Sequence, residues 1–122
     1  MKSAIVFGAG SWGTALASLL DESGLSVQFW GRDSELMREI ADTRRNTRYL
    51  PHLQLSPGIR VSSDLNSLEP ADLLVFVVPS KGVRDTSQAV AAAGLGASAK
   101  AFLSCAKGIA ACRDGVGYRV RY

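Results

Sequence analysis

The sequence has 122 residues, of which 47% are hydrophobic and 20% are charged, a balance typical of a soluble globular protein. No apolar run is long enough to cross a bilayer, and the N-terminus has no signal-peptide pattern, so we expect no membrane insertion. The net charge of +3 is small and its basic cluster lacks interleaved aromatic residues, which argues against nucleic acid as a partner.

The beginning of the chain is predicted to form a strand, a glycine turn, a helix and a second strand. A short apolar run, SAIVF at 3–7, ends at Gly8, and a second run, VQFW, occupies 27–30. Between them apolar residues repeat at helical spacing as far as Gly24, a residue type that often ends a helix. The face that this spacing predicts to be buried comprises Trp12, Ala15, Leu16, Leu19 and Leu20. Together these segments make a βαβ unit.

The rest of the chain continues the alternation of strands and helices. The predicted elements are a helix over 35–43 capped by Ser34, a long loop over 44–58, a strand over 59–62, a brief helix after Ser63-Asp64, a strand over 73–78, a helix over 83–93 and a strand over 101–104. The run LLVFVV at 73–78 is apolar without alternation, which is typical of a strand covered on both faces. We therefore predict an α/β fold, a Rossmann-type doubly wound parallel sheet with strand order 3-2-1-4-5.

The end of the chain does not continue this pattern. Residues 110–122, AACRDGVGYRVRY, have no strong helical or strand period, so we expect an irregular C-terminal tail. A doubly wound domain normally continues past its fifth strand. We therefore expect residues 1–109 to form a partial dinucleotide-binding domain in a chain that is cut short, with no substrate domain.

The cysteines and the single histidine carry little signal. Cys105 and Cys112 could form a disulfide, but a secreted scaffold of this size usually has more cysteines, so we expect reduced thiols and a cytoplasmic protein. The cysteines form no metal-ligand pattern, and His52 has no companion ligand nearby in sequence, so we expect no metal site.

The glycines near the N-terminus carry the strongest functional signal. Gly8, Gly10 and Gly13 have the G-x-G-x-x-G spacing, and they follow a predicted strand and open a predicted helix, which is the context that dinucleotide binding requires. Gly8 allows a sharp turn, Gly10 leaves room for a pyrophosphate, and Gly13 allows the helix to pack closely on the sheet. The helix N-terminus then offers N–H groups and the positive end of its dipole to the phosphates.

The residues after the second predicted strand bear on the choice of cofactor. An acidic residue there usually holds the ribose 2′-hydroxyl of NAD, whereas this chain has Gly31-Arg32-Asp33. Arg32 can bind a 2′-phosphate with two hydrogen bonds, so we expect NADP to be accepted and NAD to be usable. Two alternatives stay open: Arg32 is a surface residue of a turn, or Asp33 serves the ribose.

A second basic feature lies in the predicted loop over 44–58. Arg44, Arg45 and Arg48 form a cluster that is consistent either with a solvated turn at the end of a helix or with attraction of an anionic ligand.

Five landmarks of the sequence together resemble the bacterial NAD(P)-dependent glycerol-3-phosphate dehydrogenases. They occur in the same order and at similar spacing as in that family: GAGSWGTAL at 8–16, WGRD at 30–33, NTRYLP at 46–51, VPS at 78–80 and KGI at 107–109. The combination is far more specific than the glycines alone, and the resemblance covers residues 1 to 109.

The resemblance implies an enzyme that reduces dihydroxyacetone phosphate to sn-glycerol 3-phosphate with NADPH or NADH. This reaction supplies glycerophospholipid synthesis, and the full-length family implies a homodimer. The residues implied to contact the cofactor are Ser11, Trp12, Arg32, Tyr49 and Lys107, beside the three glycines. Lys107 is also implied to bind the phosphorylated substrate. Core packing or loop anchoring remains an alternative for Trp12 and Tyr49, and an ordinary surface position remains one for Lys107.

The resemblance also has a departure. The catalytic lysine and most substrate contacts of the family belong to a second, helical domain, so we assign no catalytic residue to this chain and expect it to be inactive alone. Two other functions stay open. One is another two-domain NAD(P)-dependent dehydrogenase, of the ketopantoate-reductase-like or hydroxyacid type, and the other is a nucleotide-sensing domain without catalysis.

Overall fold

The computed structural model describes residues 2–78, 80–97, 99–105, 112–114 and 119–120. The strands are β1 (Ser3–Phe7), β2 (Ser26–Trp30), β3 (Arg45–Asn46), β4 (Leu50–Gln54), β5 (Arg60–Ser62), β6 (Leu73–Phe76), β7 (Ala101–Cys105), β8 (Cys112–Asp114) and β9 (Arg119–Val120). The α-helices are α1 (Ser11–Glu22), α2 (Ser34–Thr43) and α3 (Ser80–Ala92), and Leu65–Ser67 forms a single 3-10 turn. Within these described ranges no helix combines the length and the apolar character needed to span a membrane.

The main sheet has the order β5-β2-β1-β6-β7-β8-β9, and its first five strands are parallel. In terms of the five predicted strands this order is 3-2-1-4-5, so the predicted fold class is confirmed. Strand β1 is central, with Val6 paired to Phe29 of β2 on one side and to Val75 of β6 on the other. The carboxyl ends of β1, β2 and β6 therefore meet at one edge, and the winding reverses between β1 and β6.

Apolar side chains cover both faces of the sheet. On one face the core packs against α1 and α2 and includes Ala17, Met37 and Ile40. On the other face Phe7 stacks on Phe76 with ring centroids 4.9 Å apart, meets Trp30 edge-on at 6.0 Å, and belongs to the same cluster as residues of α3. Two covered faces explain why β1 and β6 are apolar without alternation.

The predicted buried face of α1 is partly wrong. Trp12 and Leu19 are 39% and 56% exposed, whereas Gly13, Thr14 and Ala17 are buried against the sheet. The helix begins so close to the end of β1 that only small side chains fit beneath its first turns. The spacing of the large apolar residues therefore predicts a buried face of α1 that is rotated away from the face that is buried in the structure.

The segment between α2 and β5 also differs from the prediction. Instead of a plain loop over 44–58, it contains an antiparallel pair of strands, β3 and β4, in which Asn46 faces Leu50. The helix before it begins at Ser34, but its cap is Asp33 and not Ser34, because the Asp33 carboxylate accepts the N–H groups of Glu35 and Leu36. A carboxylate at the positive end of a helix dipole is a favourable cap.

The predicted irregular tail contains two short strands. Strand β8 pairs antiparallel with β7, with Leu103 facing Asp114, and β9 pairs with β8. This pairing uses backbone groups at the open edge of β7 and needs no side-chain periodicity, which is why the sequence pattern did not reveal it. The other residues of 110–122 lie outside the described ranges.

We predict that Gly13→Ala destabilises the fold while Gly10→Ala does not. A Cβ on Gly13 would overlap the carbonyl oxygen of Gly8, whereas a Cβ on Gly10 would meet no atom within 4 Å. Overpacking of this kind costs about 1–3 kcal/mol, and an unhindered surface change stays within about 0.5 kcal/mol. Urea unfolding of the two variants measures the difference, and equal midpoints would show that α1 can move away from Gly8 at no cost.

Candidate dinucleotide-binding site

The turn between β1 and α1 is closed by two glycines and left open by a third. Gly8 has a φ of +123°, and a Cβ there would overlap the carbonyl oxygen of Val77, the residue after β6. Gly13 lies against Gly8 in the same way, whereas the space around Gly10 is open. Backbone packing at Gly8 and Gly13 thus fixes the turn. Of its three glycines, only Gly10 leaves room for an incoming group.

An open groove of about 720 Å³ runs along the carboxyl edge of β1, β2 and β6. Its lining consists of Gly8, Ala9, Gly10, Trp30, Arg32, Asp33, Leu36, Tyr49, Val77, Val78, Asp85 and Thr86. This is the crevice in which open α/β sheets bind their ligands, at the point where the strand order reverses.

The predicted site residues fall into three groups. Gly8, Gly10, Arg32 and Tyr49 line the groove together. Ser11, Trp12 and Gly13 lie in the first turn of α1 next to it and do not belong to its lining. Lys107 lies outside the described residues.

Arg32 and Asp33 have opposite surroundings although they are neighbours. Within the described part of the chain the exposed side chain of Arg32 makes no hydrogen bond or ion pair. Asp33 is fully engaged: its Oδ1 accepts the N–H groups of Glu35 and Leu36 at 3.1 and 3.2 Å, and its Oδ2 lies 3.0 Å from Nη1 of Arg48. The N–H of Leu36 and the guanidinium of Arg48 lower the pKa of Asp33, which keeps it ionised. An incoming ribose hydroxyl would have to compete with these bonds.

Asn46 is a residue of this region whose role the sequence did not reveal. It is completely buried, and its Nδ2 donates to the carbonyl oxygen of Ala9 at 2.7 Å and to Oγ1 of Thr14 at 2.9 Å. Its Oδ1 accepts the N–H of Tyr49 at 3.3 Å. The Thr14 hydroxyl in turn donates to the carbonyl of Gly10 at 2.7 Å. One amide therefore ties the glycine turn and α1 to the turn that carries Tyr49.

The three clustered arginines have three different roles. Arg44 ends α2 in the left-handed conformation, with a φ of 61°, and its Nη1 donates to the carbonyl of Ile59 at 2.6 Å. Arg45 is exposed, and Arg48 pairs with Asp33. The solvated-turn interpretation thus describes Arg45, whereas Arg44 has a structural role and Arg48 lies next to the groove.

Two buried polar atoms of the groove are unused by the described residues. Neither Nε1 of Trp30 nor Oγ1 of Thr86 has a hydrogen-bond partner there, although both atoms are shielded from solvent. Buried polar groups without partners are rare and call for an explanation. The open space at Gly10 and the exposed Arg32, which is unpaired within the described residues, give this groove the room and the positive charge that an anionic ligand needs.

The parallel doubly wound sheet, its glycine turn and the groove above it define a Rossmann-type dinucleotide-binding domain. A family model described as the NAD-dependent glycerol-3-phosphate dehydrogenase N-terminus matches residues 3–118. The chain therefore belongs to that family. The match extends beyond residue 109, where the resemblance in the sequence ended, and includes β8.

Individual relatives agree with this assignment. A glycerol-3-phosphate dehydrogenase [NAD(P)+] of Prosthecochloris aestuarii is 40% identical over 105 residues, which are 85% of this chain and 31% of the relative. The enzyme of that name from Anaeromyxobacter sp. (strain K) is 51% identical over 82 residues, covering 66% of this chain and 25% of the relative. The chain thus spans about a quarter to a third of the length of these relatives.

A solved structure supports the same conclusion. The glycerol-3-phosphate dehydrogenase of Coxiella burnetii superposes with a TM-score of 0.77 and 32% sequence identity, covering 89% of this chain and 34% of that one. The family match favours the glycerol-3-phosphate dehydrogenase family over the ketopantoate-reductase-like and hydroxyacid families.

We predict that Asn46→Ala destabilises the protein more than the neighbouring Thr47→Ala. The first change leaves the Ala9 carbonyl and the Thr14 hydroxyl without their buried donor, which costs about 1–3 kcal/mol. The hydroxyl of Thr47 bonds only to Glu39 at the exposed surface. Chemical denaturation of both variants measures the two losses, and equal losses would show that the Asn46 amide is not what holds the turn.

Proposed function

We propose that this chain binds NADP(H) or NAD(H) as the cofactor-binding part of a glycerol-3-phosphate dehydrogenase that reduces dihydroxyacetone phosphate to sn-glycerol 3-phosphate. The observation that carries the proposal is the open Gly10 at the groove, between two glycines that are closed by backbone packing. Membership of the family supports the reaction.

The pyrophosphate of the cofactor is assigned to the turn at Gly10. The first N–H groups of a helix have no intrahelical acceptor, and the helix dipole adds positive potential at that end. Helix α1 has 12 residues and begins directly after Gly10, which has no side chain to cap it. In this proposal Gly8 and Gly13 hold the turn, and Ser11 and Trp12 contact the cofactor from the first turn of α1.

The adenosine ribose is assigned to the end of β2. Arg32 lines the groove and is unpaired within the described part of the chain, so its guanidinium is available for a 2′-phosphate. Tyr49 is 48% exposed and borders the same groove, where it contacts the cofactor in this proposal. In this proposal Asp33 does not bind the ribose, because it caps α2 and pairs with Arg48.

The chemistry of the reaction belongs to the nicotinamide, which when bound gives its hydride to the ketone carbon of the substrate. This chain's residues bind and orient the cofactor, and the proposal assigns Lys107 to the nicotinamide side and to the phosphorylated substrate. We assign no general acid to any residue of this chain. Residues 1–109 are proposed as the cofactor domain, and the family resemblance adds a cytoplasmic location, a homodimer and a role in glycerophospholipid synthesis.

We predict that Gly10→Val abolishes dinucleotide binding without unfolding the protein. The added side chain fills the space assigned to the pyrophosphate, while no protein atom within 4 Å of its Cβ position is displaced. Gly58→Val is the matched control, because Gly58 is exposed and lies away from the groove. Calorimetric titration with NADPH measures binding, and circular dichroism checks the fold. Undiminished binding by Gly10→Val would overturn the proposed site.

We predict that Arg32→Ala weakens NADPH much more than NADH. Only NADPH presents a 2′-phosphate, and a hydrogen bond to a charged group contributes about 1.5–3 kcal/mol, so the selective loss is expected to be about tenfold or more. Arg38→Ala, which removes an exposed arginine of α2 outside the groove lining, serves as the control. Equal losses for the two cofactors in fluorescence titrations would mean that Arg32 does not read the 2′ position.

A further inference from the structure

We propose that Arg48 is a second cation of the 2′-phosphate site, held beside Arg32 by Asp33, and that it helps determine the preference between NADP and NAD. This inference rests on the proposed function, because it concerns the same cofactor. It assigns a role in cofactor specificity to Arg48, which belongs neither to the glycine pattern nor to the residues at the end of β2.

The first step is the position of Arg48. Its Nη1 lies 3.0 Å from Oδ2 of Asp33, and Asp33 follows Arg32 directly and lines the same groove. The guanidinium of Arg48 thus contacts the neighbour of Arg32, the residue that is proposed to bind the 2′ group. Its carbon also lies 6.0 Å from the ring centroid of Tyr49, another residue of the lining.

The second step is how this position is fixed. Arg48 belongs to the turn between β3 and β4, and the buried Asn46 fastens that turn to the carbonyl of Ala9 in the glycine turn at 2.7 Å. The same amide accepts the N–H of Tyr49. The backbone that carries Arg48 is therefore joined to the phosphate-binding turn by a buried contact, and only the long side chain remains adjustable.

The third step is the strength of the ion pair. The side chains of Arg48 and Asp33 are 53% and 46% exposed, and such pairs contribute little to stability. Arg48 can therefore turn part of its five-donor guanidinium toward a phosphate at small cost. A role in stability alone does not account for its placement beside Asp33 and Tyr49, two residues of the groove lining.

The fourth step is charge. Without Arg48, the ionised Asp33 would face a 2′-phosphate of the same sign next to Arg32, and like charges in contact disfavour binding. With Arg48 the three side chains carry one net positive charge, which suits the phosphate of NADP. The neutral 2′-hydroxyl of NAD gains much less from this charge, so both cofactors remain acceptable and NADP is favoured.

The test compares Arg48→Ala and Asp33→Asn with the parent chain and with Arg45→Ala, a change of an exposed arginine in the same hairpin. Each protein is titrated with NADPH, with NADH, and with the pair adenosine 2′,5′-bisphosphate and adenosine 5′-monophosphate, which differ only in the 2′-phosphate. Thermal unfolding accompanies each titration.

We expect Arg48→Ala to weaken NADPH and the bisphosphate by about tenfold relative to NADH and the monophosphate, the size of one charge-assisted hydrogen bond. Asn is as good a helix cap as Asp, so Asp33→Asn is expected to keep α2. It is expected to strengthen the binding of NADPH and the bisphosphate while leaving the binding of NADH and the monophosphate unchanged. Arg45→Ala is expected to leave the ratio unchanged.

Four results would overturn the inference. Equal losses for all four ligands in Arg48→Ala would make Arg48 a support of the turn. A loss confined to NADH and the monophosphate in Asp33→Asn would make Asp33 the reader of the ribose hydroxyls. If the folded parent chain bound neither cofactor, the proposed function would fail together with this inference. Undiminished binding of both cofactors by Arg48→Ala would remove the inference alone.

Discussion

The contact between the first turn of α1 and the end of β1 is the constraint on which the rest of the structure depends. Gly13 lies directly against the carbonyl of Gly8, and Gly8 lies against the carbonyl of Val77 beyond β6. Three backbone segments thus meet without any intervening side chain. Because a side chain at either glycine would separate them, this packing sets both the tilt of α1 and the position of its N-terminus above the sheet edge. Because Gly8 and Gly13 hold the turn in this way, the space around Gly10 stays open.

A second layer of polar contacts transmits this geometry to the outer part of the groove. The amide of Asn46 joins the Ala9 carbonyl, the Thr14 hydroxyl and the Tyr49 N–H, which belong to three different parts of the chain. The Ala9 carbonyl and the Thr14 hydroxyl would lose this donor if the β3–β4 hairpin moved away, and unsatisfied buried groups are costly. The hairpin is therefore fixed relative to the glycine turn, and side chains that it carries can act on a ligand held by α1.

The sequence predicted the parts of the fold that follow from local patterns. Apolar runs identified the five parallel strands, and the glycine spacing between a strand and a helix gave their order and the location of the groove. The predicted site residues Arg32 and Tyr49 lie in the lining of the groove. The contacts of the predicted site residues with a cofactor stay predictions.

The features that were missed depend on contacts between distant segments. The buried face of α1 is made of small residues because of the glycine packing, so Trp12 faces outward. Asn46 is buried only because a hairpin folds onto Ala9, 37 positions earlier in the chain. Strands β8 and β9 join the sheet by antiparallel backbone pairing. Asp33 and Ser34 are both good cap residues, and only the geometry at the end of β2 selects between them.

The end of β2 shows how folding limits the ways in which cofactor preference can change. A Cβ on Gly31 would come within 2.8 Å of the Cβ of Ala9 and would overlap the sulfur of Met37 in the core beneath α2. Asp33 caps that same helix, so its replacement is restricted to residues that accept the first N–H groups. Arg32 and Arg48 are exposed and take no part in this packing. In the proposed site, selectivity at the 2′ position can therefore change through the two arginines at little cost in stability, whereas the fold restricts position 33 to residues that cap α2.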